Sequence, residues 1–113
     1  MIVNKRRHRR IREYTSISYR LFSNPKLEHF LTRDLSESGV RFLSYDFITK
    51  DTLLELTLNL KKIPFSFQTQ AVVKWARKDP TGERYEVGAE FLNIPKKAHQ
   101  ILVKYIAAIP EEV

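Results

Sequence analysis

Residues 65–92 read FSFQTQAVVKWARKDPTGERYEVGAEFL, and their pattern decides the class of the whole chain. Phe65, Phe67, Thr69, Ala71, Val73 and Trp75 fall on one face of a period-2 pattern, and Asp79-Pro80-Thr81-Gly82 then supplies four turn formers in a row. Tyr85, Val87, Ala89 and Phe91 resume the alternation on the far side. A β-hairpin with one face turned to a core is expected.

The same reading extends outward from this hairpin. In Thr52–Leu60, Leu54, Leu56, Leu58 and Leu60 share one face against Leu53, Glu55, Thr57 and Asn59, so the period predicts a strand although leucine suits a helix by propensity. Val40–Tyr45, Glu28–Arg33 and Thr15–Phe22 read as further strands; in the last, Ile17, Tyr19 and Leu21 alternate with Ser16, Ser18 and Arg20. Asn24-Pro25-Lys26 is expected to turn the chain, and Asp34-Leu35-Ser36-Glu37-Ser38-Gly39 is rich in turn formers. After Pro95 the period lengthens. Ala98, Leu102, Tyr105 and Ile109 recur at helical spacing with Ile101 and Ile106 widening the stripe, which predicts a helix over 96–109 ended by Pro110. About six strands joined by short turns and followed by one helix predict an all-β antiparallel barrel, with the helix covering an open end or side.

A chain of 113 residues, 42% hydrophobic and 29% charged, has the composition of one soluble globular domain. Without cysteine there is no disulfide and no cysteine-bearing zinc site, and His8, His29 and His99 form no pair at ligand spacing, so no metal is expected. No apolar stretch approaches the ~20 residues that a spanning helix needs, and the basic N-terminus lacks the apolar run of a signal peptide. A cytoplasmic protein without membrane insertion is expected. The net charge of +7 is unevenly placed, since residues 1–14 hold six basic residues against one acidic and residues 15–113 hold 14 against 12. The chain therefore divides into a basic N-terminal arm, 1–14, and a barrel with its helix, 15–113. Catalysis finds no support: Ser36 has no histidine near it in sequence, no paired carboxylates mark an apolar pocket, and three glycines build no phosphate loop.

Two constellations bear on binding. The first is Lys5-Arg6-Arg7-His8-Arg9-Arg10-Ile11-Arg12, immediately before the first strand. A terminal charge run is commonly a solvated tail. Five of its six cations are arginine, however, and the planar fork of that side chain binds phosphate bidentately, stacks on purines and donates to guanine O6 and N7. The second is Asp34-Leu35-Ser36-Glu37-Ser38-Gly39. Its plain reading is a turn in which Asp and Ser bond nearby amides and Gly supplies a positive φ. Its functional reading is a cradle for a purine and an anion: an ionised Asp accepts from the N1–H and N2–H edge of guanine, Ser donates or accepts, and Gly lets a ligand approach the backbone.

Together the two constellations resemble the PilZ family of cyclic di-GMP receptors, whose signature is RxxxR followed some two dozen residues later by [D/N]xSxxG. Arg6 and Arg10 are the only arginines in the arm at that spacing, because position 11 is Ile and position 13 is Glu; Asp34, Ser36 and Gly39 meet the second motif. Ala71-Val72-Val73-Lys74-Trp75 and Tyr85-Glu86-Val87-Gly88-Ala89-Glu90-Phe91 are similar to the family's late strands. The resemblance covers nearly the whole chain. It implies a six-stranded antiparallel barrel in which the arm folds over a nucleotide lying on the outer barrel surface. By position, it makes Arg6 and Arg10 contacts to guanine and phosphate, and Asp34 and Ser36 contacts to guanine, with Gly39 completing the turn. Lys5, Arg7, Arg9, Trp75 and Gly88 are secondary candidates, and Arg12 is an auxiliary phosphate contact. Trp75, in phase with Phe65, Phe67 and Val73, is expected chiefly in the core.

The implied function is a receptor without a cofactor, one that binds cyclic di-GMP, changes conformation and signals to a protein effector that the sequence does not identify. Two alternatives compete with it. A nucleic-acid-binding barrel with a basic arm would need aromatic and basic residues interleaved on one strand face, which is absent, so nucleic acid is not the expected partner. A PilZ-like adaptor acting only through protein contacts would be expected to have lost the arginines or the Asp/Ser pair, all of which are kept here.

Overall fold

The computed structural model describes residues 10–12, 16–21 and 24–109. Its elements are β1 (Ile11–Arg12), β2 (Ser16–Leu21), β3 (Asn24–Leu35), β4 (Gly39–Ser44), β5 (Leu53–Asn59), β6 (Ser66–Lys78), β7 (Tyr85–Leu92) and α1 (Lys96–Ala108). The strands pair antiparallel in the order β3-β2-β5-β6-β7-β4, and β4 pairs with β3 again, so that this run of six curls back onto its own first strand. The expected β-barrel with a C-terminal helix is the architecture observed, with β1 added as a seventh, two-residue strand. β1 lies on the same edge of β3 as β2, with Ile11 opposite Leu35 and Arg12 opposite Asp34. Ile11 is buried, which ties the end of the basic arm into the core.

The leucine stripe of β5 shows why period outweighs propensity. Leu54, Leu56 and Leu58 are fully buried and Leu60 is 5% exposed, facing Ile17, Tyr19, Phe67 and Ala71 within one cluster. Each such side chain gains roughly 1.5–3 kcal/mol by leaving water, more than any helical preference of leucine could oppose. The expected turn at Asn24-Pro25-Lys26 is displaced: β3 already begins at Asn24, which faces Leu21 across the ladder.

Trp75 overturns the expectation of a core tryptophan. The β6–β7 register shifts between Val73, opposite Ala89, and Trp75, opposite Gly88, so Lys74 is an extra residue in the strand. A bulge of one residue reverses the alternation beyond it. Ala76 then packs against the core in the phase expected of Trp75, and the indole is 39% exposed on the outer face.

The connections at 36–38, 60–65 and 93–95 meet at one end of the barrel, and α1 lies over that end. Ala98, Leu102, Tyr105 and Ile106 enter the core, the hydroxyl of Tyr105 accepts a hydrogen bond from the Lys62 amide at 3.1 Å, and His99 Nε2 lies 3.6 Å from Glu37 Oε1. At the opposite end Asp79 holds the β6–β7 turn. Its Oδ1 accepts from the Thr81 amide at 3.3 Å and from the Thr81 hydroxyl at 3.0 Å, and the amide bond is the leading reason its carboxyl is held below the usual carboxylate range. Among the described residues no helix is long and apolar enough to cross a membrane.

Candidate functional site

The β1–β3 and β3–β4 ladders place Asp34 between two arginines, with Arg12 opposite it on one side and Arg41 opposite it on the other. Arg41 Nη2 lies 2.5 Å from Asp34 Oδ2, and Arg10 Nη1 donates to Asp34 Oδ1 at 2.7 Å. The carboxylate is 6% exposed, while the guanidinium-bearing side chains of Arg10 and Arg41 are 28% and 30% exposed. A nearly buried carboxylate is tolerated because both of its oxygens take charge-assisted hydrogen bonds.

The chain of charges continues across the barrel surface. Arg41 Nη1 donates to Glu86 Oε1 at 3.3 Å, and the same oxygen accepts from Arg77 Nη2 at 2.8 Å. Arg77 faces Glu86 directly in the β6–β7 ladder, and its guanidinium stands 5.2 Å from the centroid of Trp75, within cation–π range. The sequence Arg10, Asp34, Arg41, Glu86, Arg77, Trp75 is therefore one continuous band over β3, β4, β7 and β6. Arg41 Nε is buried within it and has no acceptor among the described residues. The band alternates guanidinium groups with carboxylates and ends on the Trp75 ring, with Arg77 65% exposed at that outer end. Carboxylates aim the guanidinium forks, which is the preorganisation that phosphate and purine recognition requires.

Of the residues expected from sequence, Arg10 and Asp34 are brought into direct contact, and Ser36 and Gly39 form the turn that follows. Lys5, Arg6, Arg7 and Arg9 lie outside the described residues. Ser36 is 1% exposed, and its hydroxyl oxygen accepts from the amides of Ser38 at 3.3 Å and Gly39 at 3.2 Å. Its oxygen is thus already engaged by the turn. Gly39 does not supply a positive φ. A Cβ there would overlap the carbonyl oxygen of Ala89 and come within 3.3 Å of Glu90 Cα, so the close approach that this glycine permits is that of β7.

Gly88 and Trp75 form a pair at the other end of the band. The indole lies over Gly88, where a Cβ would overlap its Cε2 and Nε1. Here the obstacle is a half-exposed side chain that can swing outward, so Gly88→Ala is expected to cost only about 1 kcal/mol, at the low end of overpacking penalties. It should nonetheless move the emission of Trp75, the single tryptophan of the chain. A urea melt with fluorescence detection reads both quantities, and an unchanged emission spectrum would contradict this seat for the ring.

Arg41, Glu86 and Arg77 were not singled out by sequence reasoning. Each occupies a polar, outward position in an alternating strand, which is also where any surface charge would sit. Only the register joins them, since Arg41 and Glu86 stand 45 positions apart and belong to strands whose pairing the pattern does not specify.

A family model described as the PilZ domain matches residues 4–108. Among solved structures, the chain superposes on the Bacillus subtilis inhibitor of motility MotI (DgrA) with a TM-score of 0.81 at 20% identity, covering 93% of this chain and 51% of that one. It superposes on the PilZ domain of Escherichia coli YcgR with c-di-GMP with a TM-score of 0.72 at 18% identity, covering 93% and 91%. For the K. pneumonia MrkH–c-di-GMP complex the values are 0.73 and 20%, covering 94% and 52%. The chain thus spans about half the length of MotI and MrkH and nearly all of the YcgR domain. Among curated proteins no relative was matched. A family match that takes in both motif-bearing segments, all seven strands and α1 places the chain in the PilZ domain family.

Proposed function

We propose that the chain is a receptor for cyclic di-GMP, binding it without covalent chemistry on the outer barrel surface between the arginine arm, Asp34 and Trp75. The observation that carries this reading is the Arg10–Asp34 contact. It joins the two motif segments, 24 positions apart in sequence, at one end of a band of carboxylate-paired guanidinium groups. The PilZ domain of YcgR and MrkH, both similar in fold, are described with this nucleotide. In the proposed complex Arg6 and Arg10 donate to phosphate and to guanine O6 and N7, and Asp34 accepts from the guanine N1–H and N2–H edge. Arg41 stays on Asp34 and holds the carboxylate in place while Arg10 turns to the ligand. At about 1.5–3 kcal/mol for each charge-assisted bond, three or four such contacts outweigh the exchange of one ion pair and the ordering of a short segment.

The signal, in this reading, is the closure of residues 5–9 over the nucleotide, which changes the outer surface offered to a protein effector. The cations of that segment repel one another until phosphate neutralises them. Calorimetric titration with cyclic di-GMP, with cyclic di-AMP as control, tests the ligand: adenine has an N6 donor in place of the O6 acceptor and lacks the N2 donor, so at least about tenfold weaker binding is expected. Equal affinity for the two would contradict the role given to Asp34. Amide hydrogen exchange tests the closure. Residues 5–9 should slow on saturation, while whichever of the Ile11 and Arg12 amides bonds across to β3 should be protected in both states. Unchanged exchange at 5–9 in the saturated protein would rule out closure as the signal.

A further inference from the structure

Away from the charged band, α1 and the β5–β6 connection enclose a groove of about 350 Å³. Its lining is Ile63, Ile101, Ala108, Ile109 and the ring of Tyr105, with Lys62 and Lys104 at the rim. Ile63 is 37% exposed at the edge of this groove. The groove does not owe its shape to loose packing. Tyr105 is 6% exposed and its hydroxyl is held by the Lys62 amide at 3.1 Å, which fixes the helix against the connection.

Charge says what fits this groove. Its lining holds two cations, Lys62 and Lys104, and no Asp or Glu among the described residues. α1 has no acidic residue in its first turn, where a carboxylate would stabilise the helix dipole. A second copy of this chain docking symmetrically would bring Lys62 and Lys104 against the same two lysines, which opposes that occupant. A membrane surface is met by protruding apolar side chains, whereas this apolar surface is recessed. A concave slot of side-chain size with cations at its rim suits an apolar anchor carried by an acidic segment.

We propose that this groove is a docking site for an acidic amphipathic helix of a partner protein, whose one or two aliphatic residues fill the slot between Ile63 and Ile101 while its carboxylates meet Lys62 and Lys104. The site is distinct from the nucleotide surface, and its test needs no nucleotide, so it stands or falls apart from the receptor reading.

The probe is a pair of synthetic helical peptides with identical leucines at i, i+3, i+4 and i+7, one with glutamate and the other with lysine at the flanking positions. Amide chemical shifts of the full chain are followed during titration of each. The glutamate peptide should shift Ile63, Ile101, Lys104 and Ile109 and bind at least about tenfold more tightly than the lysine peptide, as two or more rim ion pairs at the edge of a desolvated slot would give. The double variant Lys62→Glu/Lys104→Glu, whose changes are exposed and leave the core untouched, should reverse that preference; Ile101→Asp should lose both peptides. Equal shifts from the two peptides, or a preference that survives the charge reversal, would overturn the proposal. Concentration-dependent dimerisation abolished by Ile101→Asp would also overturn it, as would binding to phosphatidylglycerol vesicles lost in the same variant.

Discussion

Arg10→Ala should weaken cyclic di-GMP binding about a hundredfold while costing the ligand-free fold only about 1 kcal/mol. The affinity loss follows from two or more charge-assisted bonds at about 1.5–3 kcal/mol each. The small stability change follows from the geometry. The Arg10 side chain is 28% exposed, and Asp34 keeps Arg41 at 2.5 Å when Arg10 is removed, so the carboxylate loses its bond at Oδ1 but keeps a charged partner at Oδ2. Arg6→Ala, taken alone, should cause a comparable loss of affinity. The two losses should be less than additive, because both side chains act on one ligand. Arg41→Ala makes the contrast. Removing that side chain takes a partner from both Asp34 and Glu86, so it should lower stability more than Arg10→Ala does, as well as lowering affinity. Calorimetry and urea unfolding on the three variants separate these effects. Nucleotide affinity that survives both Arg10→Ala and Arg6→Ala would end the assignment of the arm as the ligand clamp.

Much of the architecture was legible because it depends on local period. The alternation of Leu54, Leu56, Leu58 and Leu60 and the helical spacing of Ala98, Leu102 and Tyr105 are each contained in one segment, and each places its side chains in the core as expected. Features that depend on the register between segments were not legible. One extra residue at Lys74 moves Trp75 from the inner face to the outer, and a bulge of this kind leaves alternation intact on either side of it. Ile11 stands within the run of cations and reads as part of a solvated arm, yet it pairs with Leu35 and is buried. The Arg41–Glu86–Arg77 links arise because β4 and β6 both flank β7. The motif-bearing residues Arg10 and Asp34 were found from a resemblance, and their contact is something that no period in the chain could have announced.

Gly39→Ala should destabilise the protein by about 3 kcal/mol in the absence of any ligand, which makes it the most damaging single-methyl addition on this surface. Two readings of this glycine make different predictions. If the residue is glycine so that a nucleotide can approach the backbone, alanine costs affinity and leaves the urea midpoint alone. The structure supports the other reading. The added methyl would overlap the carbonyl oxygen of Ala89, and a strand carbonyl cannot rotate aside as the Trp75 ring can above Gly88. Relief requires β4 and β7 to separate where Gly39 faces Glu90, and the same ladder carries Arg41, opposite Gly88, to its contacts with Asp34 and Glu86. Separation at Gly39 would therefore loosen the carboxylate-held forks two residues away. Affinity should fall too, as a consequence of the backbone shift. The sequence of effects distinguishes the readings: urea unfolding of the ligand-free variant should show a lowered midpoint at unchanged slope, with Gly88→Ala much closer to the parent. A Gly39→Ala variant as stable as the parent and impaired only in nucleotide binding would show that the turn glycine is reserved for the ligand, and that β7 accommodates the methyl by a movement the present packing does not suggest.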